Sequence, residues 1–418
     1  MGILTAVFSI GRFLSSLLFG WMCDGYSFKS VYILSSIICV AGNVLYLMAD
    51  VHVAHSRTLL AFSRFVVGFG AGNRSVCRAN VAAMTSVHAR LRYITILSTV
   101  VFLGYALTPG VGSYVAHWDF FVTFVHINKF TAPGLLLIFL NAGTLLAIIA
   151  LYDESVSSEH APLDSAQVTL QVLTKPTAVP ERLVYQGLAV FIILNFNARG
   201  ILSVFETVNV PLYLQVTGQD PGSQSAVIRA STYQFYLGCL GLLSYLSILI
   251  FRHRITDVNW LQIGFTAMAV GNIILSIEPS RMDLDQFTVG EILVWSIGCP
   301  LTAAVVVATF SKILGGRPQG TLMGLLGAAG SVSRMVLPLL PAVVTSYSPL
   351  FVINTFLCVA SCVALKWYND RILGWKSGRI QYPKDVLSPL IVKQGSRKYV
   401  SYLSPPSPRS PLHAHAQN

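Results

Sequence analysis

The stretch FSRFVVGFGAGNRSVCRAN, residues 62–80, sets three arginines (Arg64, Arg74 and Arg78) and three alternating glycines (Gly68, Gly70 and Gly72) in an otherwise apolar run. On a helix of 3.6 residues per turn, Arg74 falls about −80° and Arg78 about −40° from Arg64, so the three share one face. Charge inside a membrane-length apolar run costs roughly 2.5–3.5 kcal/mol per group on insertion scales, which makes each such residue a site candidate. A cationic stripe turned toward a cavity suits an anion. Arg64 and Arg78 lie within about two turns of the run's ends, where snorkelling or capping is an alternative; Arg74 is nearest the middle. The glycines allow close helix approach. They do not make a dinucleotide fingerprint, which needs a preceding strand and a βαβ unit.

Three other apolar runs hold charge. Arg12 lies in the first, Arg199 and Glu206 in NARGILSVFETVNVP, and Arg334 in GLLGAAGSVSRMVLP. Glu206 is the one carboxylate that reads as well inside a span. Arg199 lies on the same helix face but two turns away, too far for a direct pair, so both are expected to face one cavity. A carboxylate among arginines suits proton coupling, and a structural pair joining two halves is the alternative. Pro211 is expected to kink or unwind the end of that helix. Arg229 and Glu291 read as span-end residues that snorkel. The seven cysteines show no CxxC spacing and read as packing residues. No nucleophile–base set and no metal-ligand cluster is legible, so neither an enzyme, a metal nor a cofactor is expected.

The elements that carry these residues follow from composition. The chain has 418 residues, 54% hydrophobic and 11% charged, with mean hydropathy +0.65. Soluble domains carry about 25% charged residues, so this is the composition of a membrane protein in a lipid bilayer. Spans of roughly 20 apolar residues read at 3–22, 31–49, 58–83, 92–115, 133–152, 184–214, 229–251, 258–277, 287–310, 320–344 and 348–368. They divide the chain into an N-terminal bundle (1–152), a central loop (153–183), a C-terminal bundle (184–368) and a basic, Ser/Pro-rich tail (369–418) that reads as disordered. Lys29, Arg90, Arg92, Arg252, Arg254, Lys312, Arg317 and the tail's basic residues fall on one side, and only Arg57, Lys129 and Arg281 on the other. By the positive-inside rule the tail and central loop are cytoplasmic, and the formal charge of +11 needs no nucleic acid to explain it. Eleven spans then place Met1 on the far side, which a missing first helix would resolve. Two helical bundles around a long central loop is the organisation of a secondary transporter with a midplane site.

The segment GWMCDGYSFK resembles the loop signature of the major facilitator superfamily through Gly20, Asp24 and Lys29, with Gly25 standing for a basic residue and Ser27 for glycine. GYALTPGVG resembles that family's antiporter signature through Gly104, Pro109 and Gly112, with Thr108 in place of glycine. SRFVVGFGAGN…CRA, INKFTAPGLL, VFETVNVPL and GGRPQGTLMG…AAGSVSR are similar in order to lysosomal major facilitator proteins of the neuronal-ceroid-lipofuscinosis type and to vacuolar SPX-domain phosphate transporters. This resemblance implies an all-α major facilitator fold of two pseudo-symmetric bundles lacking the first family helix. It also implies an endolysosomal or vacuolar membrane and an anionic cargo, chloride or phosphate. It singles out Arg64, Arg78, Glu206 and Arg334, while Arg74 stands where relatives carry an apolar residue.

The sequence therefore predicts an alternating-access carrier of chloride, phosphate or small organic anions. Its substrate-binding residues are Arg64, Arg74, Arg78, Arg199 and Arg334, and Glu206 is its proton-coupling residue. Gly20, Asp24, Lys29 and Pro109 are gating residues, with Asp24 set against a helix N-terminus across the bundle interface. An anion channel, a neutral-solute facilitator and a transport-inactive scaffold are the alternatives.

Overall fold

The computed structural model describes residues 2–51, 56–115, 117–122, 125–128, 130–154, 179–220, 223–279, 281–343 and 346–377. The N-terminal bundle consists of α1 (Gly2–Gly25), α2 (Phe28–Val51), α3 (Ser56–Gly70), α4 (Asn73–Ala83), α5 (Arg90–Val115) and α6 (Ala132–Leu151). A short antiparallel hairpin, β1 (Phe120–Val122) and β2 (Val125–Ile127), joins α5 to α6. The C-terminal bundle consists of α7 (Glu181–Val216), α8 (Gln224–Phe251), α9 (Asp257–Ser276), α10 (Leu284–Leu314), α11 (Gly320–Val336) and α12 (Ser348–Lys376). Most of the expected central loop and the tail beyond 377 lie outside the described residues.

Ten of these helices are long and apolar enough to cross a membrane. The expected third span is not one helix: it breaks at Ala71-Gly72 into α3 and α4, neither of which reaches the roughly 20 residues of a crossing. Glycine is a poor helix former, and here it is also required. A Cβ on Gly70 would lie 2.9 Å from the Cys39 backbone nitrogen, and one on Gly72 would strike Ser15. The break is local: the Ala71 N–H still bonds the Val67 carbonyl at 3.0 Å, and Gly72 keeps helical angles.

Two further readings change. α7 runs uninterrupted through Pro211 to Val216, because its flanks are buried on both sides of the proline at Val208, Asn209, Leu212 and Leu214. α10 is α-helical at both ends but π-helical over Ile292–Gly298, an irregularity that hydrophobic periodicity does not signal. Side-chain caps start two C-terminal helices: Thr256 accepts from the Asn259 N–H at the head of α9, and Asp283 from the Gln286 N–H at the head of α10.

α7 is the axis of the C-terminal core, with Leu183, Phe191, Leu194, Ile201, Val204, Phe205 and Leu212 all almost inaccessible. The two bundles meet where α1 packs along α11 and α5 along α8 and α10. The α1–α11 seam is backbone against backbone: a Cβ on Gly20 would lie 2.7 Å from the Gly320 carbonyl oxygen and 2.8 Å from the Gly324 Cα. Neither atom can move without moving a helix. Gly20→Val is therefore expected to destabilise the chain by about 1–3 kcal/mol, the usual cost of overpacking. A lowered thermal midpoint in detergent would show it, and an unchanged midpoint would mean that the helices separate freely here.

Candidate functional site

A cavity of about 290 Å³ is walled by N-terminal-bundle residues alone: Arg12 of α1, Asn73, Arg74, Cys77 and Arg78 of α4, and Ser98 of α5. Arg74 and Ser98 also wall a smaller, water-sized pocket that continues to Tyr105 of α5, Arg199 of α7, Tyr245 of α8 and Cys299 of α10. Arg74 thus stands at the junction, its Nη1 3.4 Å from the Tyr105 hydroxyl. Tyr105 in turn reaches Arg334. Arg78 and Arg199 are only 5% and 6% exposed.

Glu206 takes a different partner from the arginine on its own helix. The guanidinium of Arg334, on α11, grips it with both terminal nitrogens; Nη1 to Oε1 is 3.1 Å, and Nη2 meets Oε2. Arg12, Arg74, Arg78 and Arg199 form no ion pair among the described residues. The buried Nη2 of Arg199 and Nε of Arg12 have no hydrogen-bond partner. Arg74 is within Coulombic reach of Arg12, Arg78 and Arg199, and Arg334 of Arg12 and Arg199. Five guanidinium groups thus share one region with a single carboxylate. Holding like charges together in a low-dielectric space is unfavourable unless something anionic occupies it.

The structure sets Arg64 apart from this group, so the cavity lends its expected substrate-binding role no support. Its guanidinium lies over the Tyr46 ring, 4.6 Å from the centroid, and it does not wall the cavity. Height along the helix is the reason, since the ten residues from Arg64 to Arg74 amount to about 15 Å of rise. Arg12 takes its place in the set; its depth in the first span was the available signal. Tyr105, a neutral residue in an apolar run, gave none.

The gating candidates also divide. At the end where α1 stops, both Asp24 carboxylate oxygens face the start of α11, accepting from the Gly320 N–H (2.9 Å), the Thr321 N–H (2.8 Å) and the Thr321 hydroxyl (2.5 Å). Lys29 does not cross the interface: it donates to the Ile149 and Tyr152 carbonyls at the end of α6, within its own bundle. Arg90, legible only as a loop cation, does cross. Its Nη1 donates to the carbonyls of Ser311 and Gly315, 2.7 Å each, and its Nη2 to that of Ala82 at 3.3 Å. Asp24 and Arg90 together clasp the bundles at one end. Pro109 falls inside α5.

Glu291 corrects the span-end reading. It is wholly inaccessible, where a snorkelling residue would reach solvent. Arg229 remains an exposed end residue bonded to Gln219.

Comparison with known proteins agrees with this architecture. A family model described as Major Facilitator Superfamily matches residues 1–280. The chain is 24% identical to "Major facilitator superfamily domain-containing protein 8" of Xenopus laevis, over 87% of this chain and 81% of that one. Among solved structures it resembles the human organic anion transporter MFSD10 (TM-score 0.64, 19% identity, 87% of this chain and 83% of that one). It also resembles the proton:xylose symporter XylE (TM-score 0.62, 13% identity, 90% and 85%).

Proposed function

The chain belongs to the major facilitator superfamily of membrane transporters, and on that premise we propose that it is a carrier of small anions. The observation that supports this reading is the cluster of Arg12, Arg74 and Arg78 around one cavity, with Arg199 in the water-sized pocket that adjoins it at Arg74, and without a carboxylate partner for any of them among the described residues. Guanidinium groups bind carboxylate and phosphate oxygens with paired N–H donors. The 290 Å³ cavity holds an inorganic or small organic anion with a few waters, each of which occupies about 30 Å³. A neutral sugar would leave the charges uncompensated. The organic anion transporter named among the structural neighbours fits this class; the xylose symporter shares the fold alone.

Arg334 links cargo to protons. Arg334 lines neither pocket but is bonded to Tyr105; an anion that reaches Tyr105 competes with Glu206 for its guanidinium, and a proton on Glu206 releases Arg334 to the anion. Uptake is thus favoured from the more acidic side, and loss of the proton restores the Arg334–Glu206 pair and expels the cargo. The bundles rock about this site, and the Asp24–α11 and Arg90 contacts close one end while the other loads. An endolysosomal or vacuolar membrane is the proposed location, with the tail cytoplasmic.

Flux in proteoliposomes tests the reading. Chloride, phosphate and a small monocarboxylate are each expected to exchange faster than xylose, with saturation, and at least one of them faster at acid pH. Xylose flux equal to every anion would contradict it, and flux without saturation would assign a channel.

A further inference from the structure

A second polar nook lies inside the C-terminal bundle, away from the arginine cavity and toward the end opposite Asp24. Glu291 of α10 is 0% exposed. Its Oε2 accepts from Asn209 Nδ2 of α7 at 2.9 Å, and Asn209 Nδ2 also lies 3.4 Å from Gln234 Oε1 of α8. Three buried atoms here have no partner: Glu291 Oε1, Asn209 Oδ1 and Gln234 Nε2. Among the described residues no cation is in place to hold Glu291 as a carboxylate. α8 carries only Arg229, which is exposed and bonded to Gln219. α9 packs here through Gly271 against the Gly290 carbonyl, and its only charge is Asp257, bound to Lys312 at the other end. On α7, Glu206 is one turn before Asn209 and is taken by Arg334. The remaining titratable groups in reach are Tyr233, with Tyr213 against it, and Cys299.

An isolated ionised carboxylate in such a place costs far more than a neutral one. The orphan atoms point the same way. With Glu291 ionised, Oε1 and Asn209 Oδ1 are both acceptors and neither finds a donor. A proton on Glu291 supplies one, and a neutral carboxyl then complements both atoms of the amide. The rings of Tyr213, Tyr233 and Phe287 pack against one another, with centroids 4.8 to 6.3 Å apart, and Tyr233 is the one within electrostatic reach of Glu291. The Tyr233 hydroxyl is tied to that of Thr288 at 3.0 Å. Immediately after Glu291 the helix turns π over Ile292–Gly298, a local irregularity common at functional sites.

We propose that Glu291 and Asn209 form a proton-binding site, distinct from Glu206, that binds one proton and releases it to water when the bundles rock. The site is independent of which cargo is carried, and its coupling to transport rests on the carrier reading. The test uses the full chain in lipid nanodiscs, with infrared difference spectra of the protonated-carboxyl stretch on a shift from neutral to alkaline pH. The wild type is expected to show such a band, Glu291→Gln to lack it, and Asn209→Leu to move its frequency in a protein whose far-ultraviolet circular dichroism is unchanged. In proteoliposomes, the ratio of acid-driven accumulation to equilibrium anion exchange is expected to fall about tenfold in Glu291→Gln. A band that survives Glu291→Gln overturns the site. A band lost with that ratio unmoved makes the proton structural and overturns its release. Removal of the band by sodium at constant pH assigns a cation site instead. If no anion moves at all, the carrier reading fails while the infrared arm still decides the site.

Discussion

Arg334→Gln is expected to lower stability by about 3–5 kcal/mol, because it strands Glu206 as a mostly buried carboxylate without its partner. The pair joins α7 to α11 in a place where Glu206 is 21% and Arg334 13% exposed, so water compensates little. Glu206→Gln should cost much less, since a guanidinium freed from it gains room to turn toward Tyr105 and the cavity. The double variant is expected to recover most of the loss of Arg334→Gln, a coupling that a thermal or denaturant midpoint in detergent measures directly. The functional consequences split differently. Arg334→Gln removes an anion ligand and abolishes uptake. Glu206→Gln leaves Arg334 permanently available, so anion affinity rises while turnover falls and acid no longer accelerates uptake. Unchanged acid dependence in Glu206→Gln would remove Glu206 from the coupling mechanism.

Arg78→Met should show stability and activity moving in opposite directions. Arg78 is 5% exposed on α4, faces the cavity and has no ion-pair partner among the described residues. Replacing a buried cation that sits among other cations with an apolar side chain of similar length removes repulsion and desolvation together. Stability is expected to rise by about 0.5–2 kcal/mol, as when a strained functional site is relieved. Anion transport should drop 10- to 100-fold, one to two charge-assisted hydrogen bonds at about 1.5 kcal/mol each. If Arg78 were structural, both quantities would fall together.

Composition and span length are enough to read two bundles and their order, because a membrane forces apolar segments of fixed length. The residues of the candidate site stand out in the sequence where depth alone decides: Arg74, Arg78, Arg199, Arg334 and Glu206 are costly in lipid wherever they point. A helical wheel puts Arg64 on the face of Arg74 and Arg78 but carries no height, and ten residues of helix set it about 15 Å along the axis from Arg74. The partner of Glu206 was out of reach because Arg334 lies 128 residues away, and only packing of α7 on α11 brings them together. Glu291 was read as a span-end residue because counting from the span's start places it one turn in; packing of α10 against α7 and α9 leaves it wholly inaccessible. Arg90 illustrates the same limit, since a loop cation and a bundle clasp look alike in sequence.

Anion binding to the purified chain, followed by the thermal midpoint as ligand is titrated, tests the arginine cavity most directly. Ligand that binds only the folded protein stabilises it by about 2.7 kcal/mol at a hundredfold excess over Kd. The account predicts a saturable rise of the midpoint with at least one of chloride, phosphate and a monocarboxylate, no rise with xylose, and loss of the response in Arg78→Met. A response to xylose, or an anion response that Arg78→Met retains in full, would contradict it.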